Sequence, residues 1–209
     1  MGRNKIQYAS GRYSPWQLLG AANAYYALSE AATAKYPESA EAMADTPVNP
    51  SKALASATNR ILALELYLKA LLVGSSVPVP MVHNLVILFN HLPDATKAEI
   101  ASHYEQRCRA INWTDRSVSI VLCFQLDVSV DSTAIEKSMV GTPIDPTLIG
   151  LLERNNDGFI DSRYLFQRAS ATEANSFEYE FQHLAILCML LREALDNNLT
   201  KFMSKRVSQ

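Results

Sequence analysis

Apolar side chains recur every three or four positions along most of the chain, the spacing that places them on one face of an α-helix. Proline, glycine and polar residues interrupt this spacing at about 37–50, 74–80 and 127–147. The pattern predicts six helices, at about 15–36, 51–73, 82–92, 95–126, 147–154 and 173–199. The β-branched run at 117–122 leaves open a break or a strand there. The chain is therefore expected to be all-α, an antiparallel helical bundle.

Local signals fix several of these boundaries. Ser14 and Pro15 suit the N-cap and first position of a helix, Ser51 opens the second, and Asp94 is expected to cap the fourth. The run Asn156-Asp157-Gly158 is typical of a turn and predicts a small irregular loop or hairpin at 155–167.

We expect one helical domain over residues 15–200, with polar or basic segments at its two ends. Residues 1–14 are predicted to be a flexible leader, and residues 201–209 a basic tail. A chain of 209 residues with 48% hydrophobic residues and only 7 glycines suits a single helical domain.

Charge and cysteine content narrow the possible functions. The formal net charge is -2, so the chain has no global positive charge for strong sequence-independent binding of RNA, although RNA binding at a local patch remains possible. Three widely spaced cysteines form no zinc-type cluster and favour a reduced, cytoplasmic setting. The longest unbroken apolar run, 184–191, is too short to span a bilayer. We expect a soluble protein with no membrane contact, metal or cofactor.

Two charges, Glu65 and Lys69, lie in the strongly apolar segment 59-NRILALELYLKALL-72. At this spacing they lie on one helical face, in the order that favours an ion pair. Because Leu62 and Leu72 flank them on that face, the pair is not part of a simple solvent-facing stripe. Two interpretations stay open: a partly buried pair that fixes how a neighbouring helix docks, or a polar pair lining a cleft. We favour docking.

Three blocks of sequence together resemble the HEPN family, the "higher eukaryotes and prokaryotes nucleotide-binding" helical bundles. The first runs from Asn59 to Leu72 and contains Glu65 and Lys69; the second is 83-HNLVILFNHLP-93, with His83 and Asn84; the third is 159-FIDSRYLFQ-167, with Arg163 and Tyr164. The resemblance spans about residues 51–195. It implies an HEPN-like bundle, frequent homodimers and, from these blocks, binding residues at Asn59, Glu65, Lys69, His83, Asn84, Arg163 and Tyr164.

Many HEPN members are metal-independent endoribonucleases that use an Arg followed five to seven positions later by a His. Here no histidine has an arginine at that spacing before it. Weak candidates for catalytic residues in place of this motif are Arg163, His183 and the reversed pair His103/Arg107. His83 alone lacks a partner that would make it a base, and a structural hydrogen bond at the end of the second helix is favoured for it.

The resulting functional hypothesis is a degenerate, non-catalytic HEPN-like protein acting as a dimeric binding or assembly module. A bacterial defence or toxin–antitoxin setting, with a nucleotidyltransferase-like protein partner, is what the resemblance suggests. The alternative is a metal-independent endoribonuclease that uses a non-standard Arg/His site.

Overall fold

A computed structural model describes residues 7–8, 13–33, 50–109, 147–156 and 180–207, and six α-helices with no strand lie within those ranges. The expected all-α class is confirmed. The helices are α1 Pro15–Thr33, α2 Pro50–Gly74, α3 Leu85–Asn90, α4 Asp94–Arg109, α5 Leu148–Arg154 and α6 Phe181–Val207.

The starts of α1 to α5 agree with the sequence signals to within a few residues. α1 begins at Pro15 as expected, and α2 begins at Pro50, one residue before Ser51. Asp94 is the first residue of α4 rather than its cap, because Lys97 N–H already donates to Pro93 O at 3.0 Å. The predicted continuation of α4 through 110–126, the loop at 127–146 and the hairpin at 157–167 lie outside the described residues.

The last helix differs most from its predicted range of 173–199. Glu180 is not helical, and α6 starts at Phe181, where Leu184 N–H donates to Glu180 O at 3.0 Å. It then continues to Val207, through most of the expected basic tail. No glycine or proline occurs between 181 and 207, so the local sequence has no strong signal to end the helix earlier.

Helix α2 is the central element and packs against α1, α6 and α3. Ten hydrophobic residues of α2 are buried: Leu54, Ala57, Ile61, Ala63, Leu64, Tyr67, Leu68, Ala70, Leu71 and Leu72. Side-chain contacts show that α1 runs antiparallel to α2. Asn23 accepts a hydrogen bond from Tyr67 at 2.7 Å, and Ser29, further along α1, bonds Ser56 near the start of α2.

A charged residue lies inside this core. The Arg60 side chain is 0% exposed, pairs with Glu30 of α1, and has its guanidinium carbon 5.6 Å from the centre of the Tyr26 ring. A buried guanidinium needs a carboxylate and further contacts, because its desolvation costs several kcal/mol. The position of Glu30 on α1 therefore contributes to the register of α1 against α2.

Removing the Glu30 charge tests this contribution. We expect Glu30→Gln to lower the free energy of unfolding by about 1–3 kcal/mol, because the buried Arg60 loses its carboxylate. Glu105→Gln is a matched control, since both glutamate side chains are 49% exposed but Glu105 pairs with the exposed Arg109. Urea unfolding followed by circular dichroism measures both; equal small losses would contradict the role assigned to Glu30.

The end of α2 turns the chain back along the helix. Ser76 has φ 58°, its N–H donates to Val73 O at 3.0 Å, and Val77 N–H donates to Leu72 O at 2.9 Å. This is the Schellman arrangement, with serine at the left-handed position that glycine usually occupies. The turn directs residues 77–84, called here the return segment, towards the Glu65 face of α2.

Part of the predicted flexible leader is attached to this return segment. Tyr8 forms an isolated antiparallel bridge with Pro80, and Met81 N–H donates to Gln7 O at 2.8 Å. The Tyr8 ring also lies edge-on to His91, with ring centres 6.2 Å apart. Residues 7–8 therefore contact both the return segment and the end of α3, and the flexible leader over residues 1–14 stays a prediction.

Candidate functional site

The carboxylate of Glu65 is the centre of the most polar cluster on α2. Its side chain is 3% exposed and accepts a hydrogen bond from Lys69 Nζ at 2.6 Å. His83, on the return segment, places Nδ1 3.1 and 3.0 Å from the two carboxylate oxygens. Because a carboxylate only accepts, Nδ1 must carry the hydrogen. One buried negative charge thus serves two nitrogen donors from different parts of the chain.

His83 differs from its expected place and role. We predicted that it begins the third helix, whereas α3 starts two residues later at Leu85 and His83 lies in the return segment. We expected a structural hydrogen bond at the end of the second helix, whereas His83 bonds the Glu65 side chain nearer the middle of α2. The view of His83 as a lone histidine is wrong, since a carboxylate orients its ring, as in acid–imidazole pairs.

We expected the Glu65–Lys69 pair to fix how a neighbouring helix docks. The element that contacts the pair through His83 is instead the return segment. Lys69 and His83 also line a pocket, so the interpretation as a polar pair in a cleft stays a prediction.

This pocket has a volume of about 280 Å³ and lies between the start of α1, the middle of α2 and the return segment. Its walls are Tyr13, Leu18, Leu66, Lys69, Val79, Pro80, Met81, Val82 and His83. Most of these side chains are apolar, and the two nitrogen bases Lys69 and His83 supply most of its polar chemistry. An apolar cavity with a few convergent polar groups is the usual form of a small-molecule site.

The sequence pattern indicated three residues of this region, Glu65, Lys69 and His83, but it did not predict the pocket. Tyr13 and Leu18 come from another helix start some fifty residues away in sequence, and spacing alone does not bring them to Lys69. The one available signal was the break 74-GSSVPVP-80, which returns the chain after α2.

Replacing only Glu65 in this cluster should destabilise the protein. We expect Glu65→Leu to lower the free energy of unfolding by about 2–4 kcal/mol, because the largely buried Lys69 ammonium loses its counter-ion. The double variant Glu65→Leu/Lys69→Met should recover at least half of that loss, since no unpaired charge then remains on α2. Thermal and urea unfolding measure both variants.

Glu99→Gln, at an exposed position of α4, serves as the control and should change stability by less than about 0.5 kcal/mol. A Glu65→Leu protein with unchanged melting would show that the cluster has no docking role.

Two residues of the resemblance have local structural partners. The Asn59 side chain donates to Ala55 O at 2.9 Å within α2. The Asn84 side chain accepts from Ile87 N–H at 2.8 Å and so caps α3, while Asn156 accepts from Val86 N–H at 3.2 Å. Asparagine at this position satisfies helix donors that otherwise lack partners. The binding role predicted for Asn59 and Asn84 stays a prediction.

The candidate catalytic residues of α4 and α6 have varied surroundings. Arg107 donates to both carboxylate oxygens of Glu193 on α6 at 2.8 and 2.9 Å, and His103 lies on the exposed surface of α4. His183 is 4% exposed, and its ring centre lies 6.5 Å from that of Tyr104. Arg107 therefore links two helices, and His183 is part of the interior.

Arg163 and Tyr164 lie outside the described residues, so their predicted binding roles stay predictions. The residue just before α6, Glu180, forms a second buried acidic centre that the sequence did not reveal. Arg154 donates to both its oxygens at 3.0 and 2.8 Å, and Asn155 donates at 3.1 Å. These bonds link the end of α5 to the start of α6 and give Glu180 a structural role.

Two cysteines lie in the core. Cys108 and Cys188 are free and buried, and burial raises the pKa of the Cys188 thiol well above its ordinary value. Cys188 thus stays a neutral thiol and behaves as a small hydrophobe, as its apolar sequence neighbours predict. Cys123 lies outside the described residues.

Within the described ranges, no three His, Cys, Asp or Glu side chains are grouped in a way that could hold a metal ion. Over the same ranges, none of the helices combines the length and the apolar character needed to cross a membrane. No protein-family model matches the chain, and searches of curated proteins and of solved structures also found no match.

Proposed function

We propose that this chain is an HEPN-like helical protein that acts as a dimeric binding or assembly module and does not cleave RNA. The proposal combines the three-block resemblance with the helical bundle formed by the described residues. The observation that carries the dimer is the outer face of α1, defined here as its exposed apolar positions Trp16, Gly20, Ala24, Ala27, Leu28 and Ala31.

The outer face of α1 suits contact with a second copy of the same helix. Trp16 is 50% and Leu28 56% exposed, and the other four positions of the face are glycine or alanine. Small side chains allow two helix axes to approach closely, and large apolar ends supply buried area. The exposed polar neighbours of this face on α1 are Gln17 and Glu30, and Glu30 is used in the ion pair with Arg60. A two-fold axis would place the same largely apolar face on both subunits.

The surroundings of the candidate catalytic groups support a role without RNA cleavage. A nuclease needs an arginine that meets a phosphate and a histidine that reaches the 2′-hydroxyl. Arg107 is engaged on both carboxylate oxygens of Glu193, and His183 is buried beside Tyr104. RNA would have to displace Glu193 from Arg107. To reach His183, it would also have to open the protein interior.

A charge placed on the outer face of α1 tests the proposed dimer. Light scattering at micromolar concentration should give the wild-type protein twice the 23.2 kDa mass of one chain. Ala24→Glu should give the mass of one chain, because two like charges would meet in the interface. Ala98→Glu, the same change at an exposed alanine of α4, is the control and should leave the dimer intact. A monomeric wild-type protein contradicts the proposal.

The same preparations, incubated with mixed RNA and a metal chelator, test the absence of nuclease activity. We expect intact RNA throughout. Cleavage by the wild-type protein that is lost in Arg163→Ala or His103→Ala, with circular dichroism unchanged, would overturn the non-catalytic proposal and favour an endoribonuclease.

We further propose that the assembly partner is a nucleotidyltransferase-like protein, as the family resemblance suggests. Co-purification of the two proteins after co-expression tests this partner, and the Ala24→Glu variant shows whether pairing requires the homodimer. This partner rests on the resemblance alone, whereas the dimer also rests on the outer face of α1.

A further inference from the structure

The pocket beside the Glu65 cluster has an unequal distribution of charge. The carboxylate of Glu65 is buried behind the wall, whereas Lys69 and His83 line the cavity itself. Each of them contacts Glu65, Lys69 through Nζ and His83 through Nδ1. A molecule in the pocket therefore meets the Lys69 ammonium at one end and no carboxylate among the lining residues.

The remaining walls are suited to an apolar body. Leu18 of α1, Leu66 of α2 and Val79 and Met81 of the return segment supply aliphatic and thioether surface, and Tyr13 adds an aromatic ring. A cavity of about 280 Å³ accepts a molecule of roughly ten to fifteen non-hydrogen atoms. This is far below the size of a folded polypeptide, so the expected occupant is a small molecule.

We propose that the pocket binds a small organic anion, with its acidic head group at Lys69 and its apolar body against Leu18, Leu66 and Met81. Charge complementarity selects the head group, because a carboxylate or phosphate accepts a charge-assisted hydrogen bond from the Lys69 ammonium and no lining residue is acidic. The low exposure of Lys69, 18% of its side chain, strengthens the attraction, because a poorly solvated ammonium interacts more strongly with an anion.

The arrangement also explains why the acid is buried and the bases line the cavity. Glu65 holds the Lys69 ammonium and the His83 ring in fixed positions from behind, so little side-chain freedom is lost when an anion binds. In this respect Glu65 is a positioning residue, Lys69 contacts the head group, and His83 forms part of the pocket wall beside it. The inference goes beyond the proposed dimeric module and does not depend on the outer face of α1.

Calorimetry and two-dimensional NMR with 3-phenylpropionate, phenyl phosphate and the neutral 3-phenylpropan-1-ol test the proposal on the full chain. We expect at least one of the two anions to bind about tenfold or more tightly than the alcohol. The tighter of the two anions identifies the head group as carboxylate or phosphate. Equal affinity of anions and alcohol, or no binding of either anion at about 10 mM, overturns the proposal.

Variants at the pocket mouth make the test specific. Met81 is 61% exposed, so its replacement should not disturb folding. Met81→Glu places a negative charge by the head group and should weaken anion binding about tenfold or more, whereas the neutral Met81→Gln should weaken it less than about threefold. Anion binding that is unchanged in Met81→Glu overturns the assignment of the pocket.

Substitutions of Lys69 and of a matched lysine, Lys97, test whether Lys69 binds the anion. Lys69→Met should abolish the preference for the anion over the alcohol, and Lys97→Met should preserve it. Lys97 is also a partly exposed lysine in an intrahelical ion pair, but it lies on α4 and pairs with Asp94. Circular dichroism confirms that each variant is folded, and equal effects of the two lysine variants would contradict a specific anion site.

Discussion

A carboxylate that is buried away from water needs hydrogen-bond donors around it. In this protein Glu65, in the middle of the central helix α2, is such a carboxylate. At 2% exposure it cannot rely on solvent. Lys69 supplies one donor from the next helical turn, and His83 supplies the other from the return segment. The return segment must therefore lie across α2. Its position in turn holds Tyr8 through Pro80, starts α3 after Asn84 and closes one side of the pocket.

Helix α2 contains a second buried charge, Arg60, and the two charges organise different neighbours. Arg60 meets Glu30 and the Tyr26 ring of α1, whereas Glu65 meets the return segment. Leucines and alanines on the same helix stabilise the core but would accept neighbouring helices in several registers. Buried ion pairs add little net stability yet strongly disfavour arrangements that leave a charge unpaired. We interpret Arg60 and Glu65 as two such constraints on how the bundle assembles.

Periodicity was sufficient to predict the helices that bury a continuous apolar face, and least informative where contacts distant in sequence decide the structure. The bounds of α2 and the Glu65–Lys69 pair followed from the sequence, because both depend on neighbours within a few residues. The partner of His83 did not follow, because the bond joins residues eighteen positions apart. The same reason explains the bridge at Tyr8 and the pocket wall at Tyr13. The part of α6 beyond Leu199 was missed because the polar, basic composition of residues 201–209 was interpreted as a tail.

The central claim is that Glu65 holds the return segment on α2, and amide hydrogen exchange at single-residue resolution tests it most directly. Wild-type protein is compared with Glu65→Gln and with the control Glu99→Gln. The account predicts that the Met81 amide, which donates to Gln7 O, exchanges about tenfold or more faster in Glu65→Gln, while the Leu191 amide in α6 changes much less. An unchanged Met81 rate, or an equal acceleration at Met81 and Leu191, would contradict the claim.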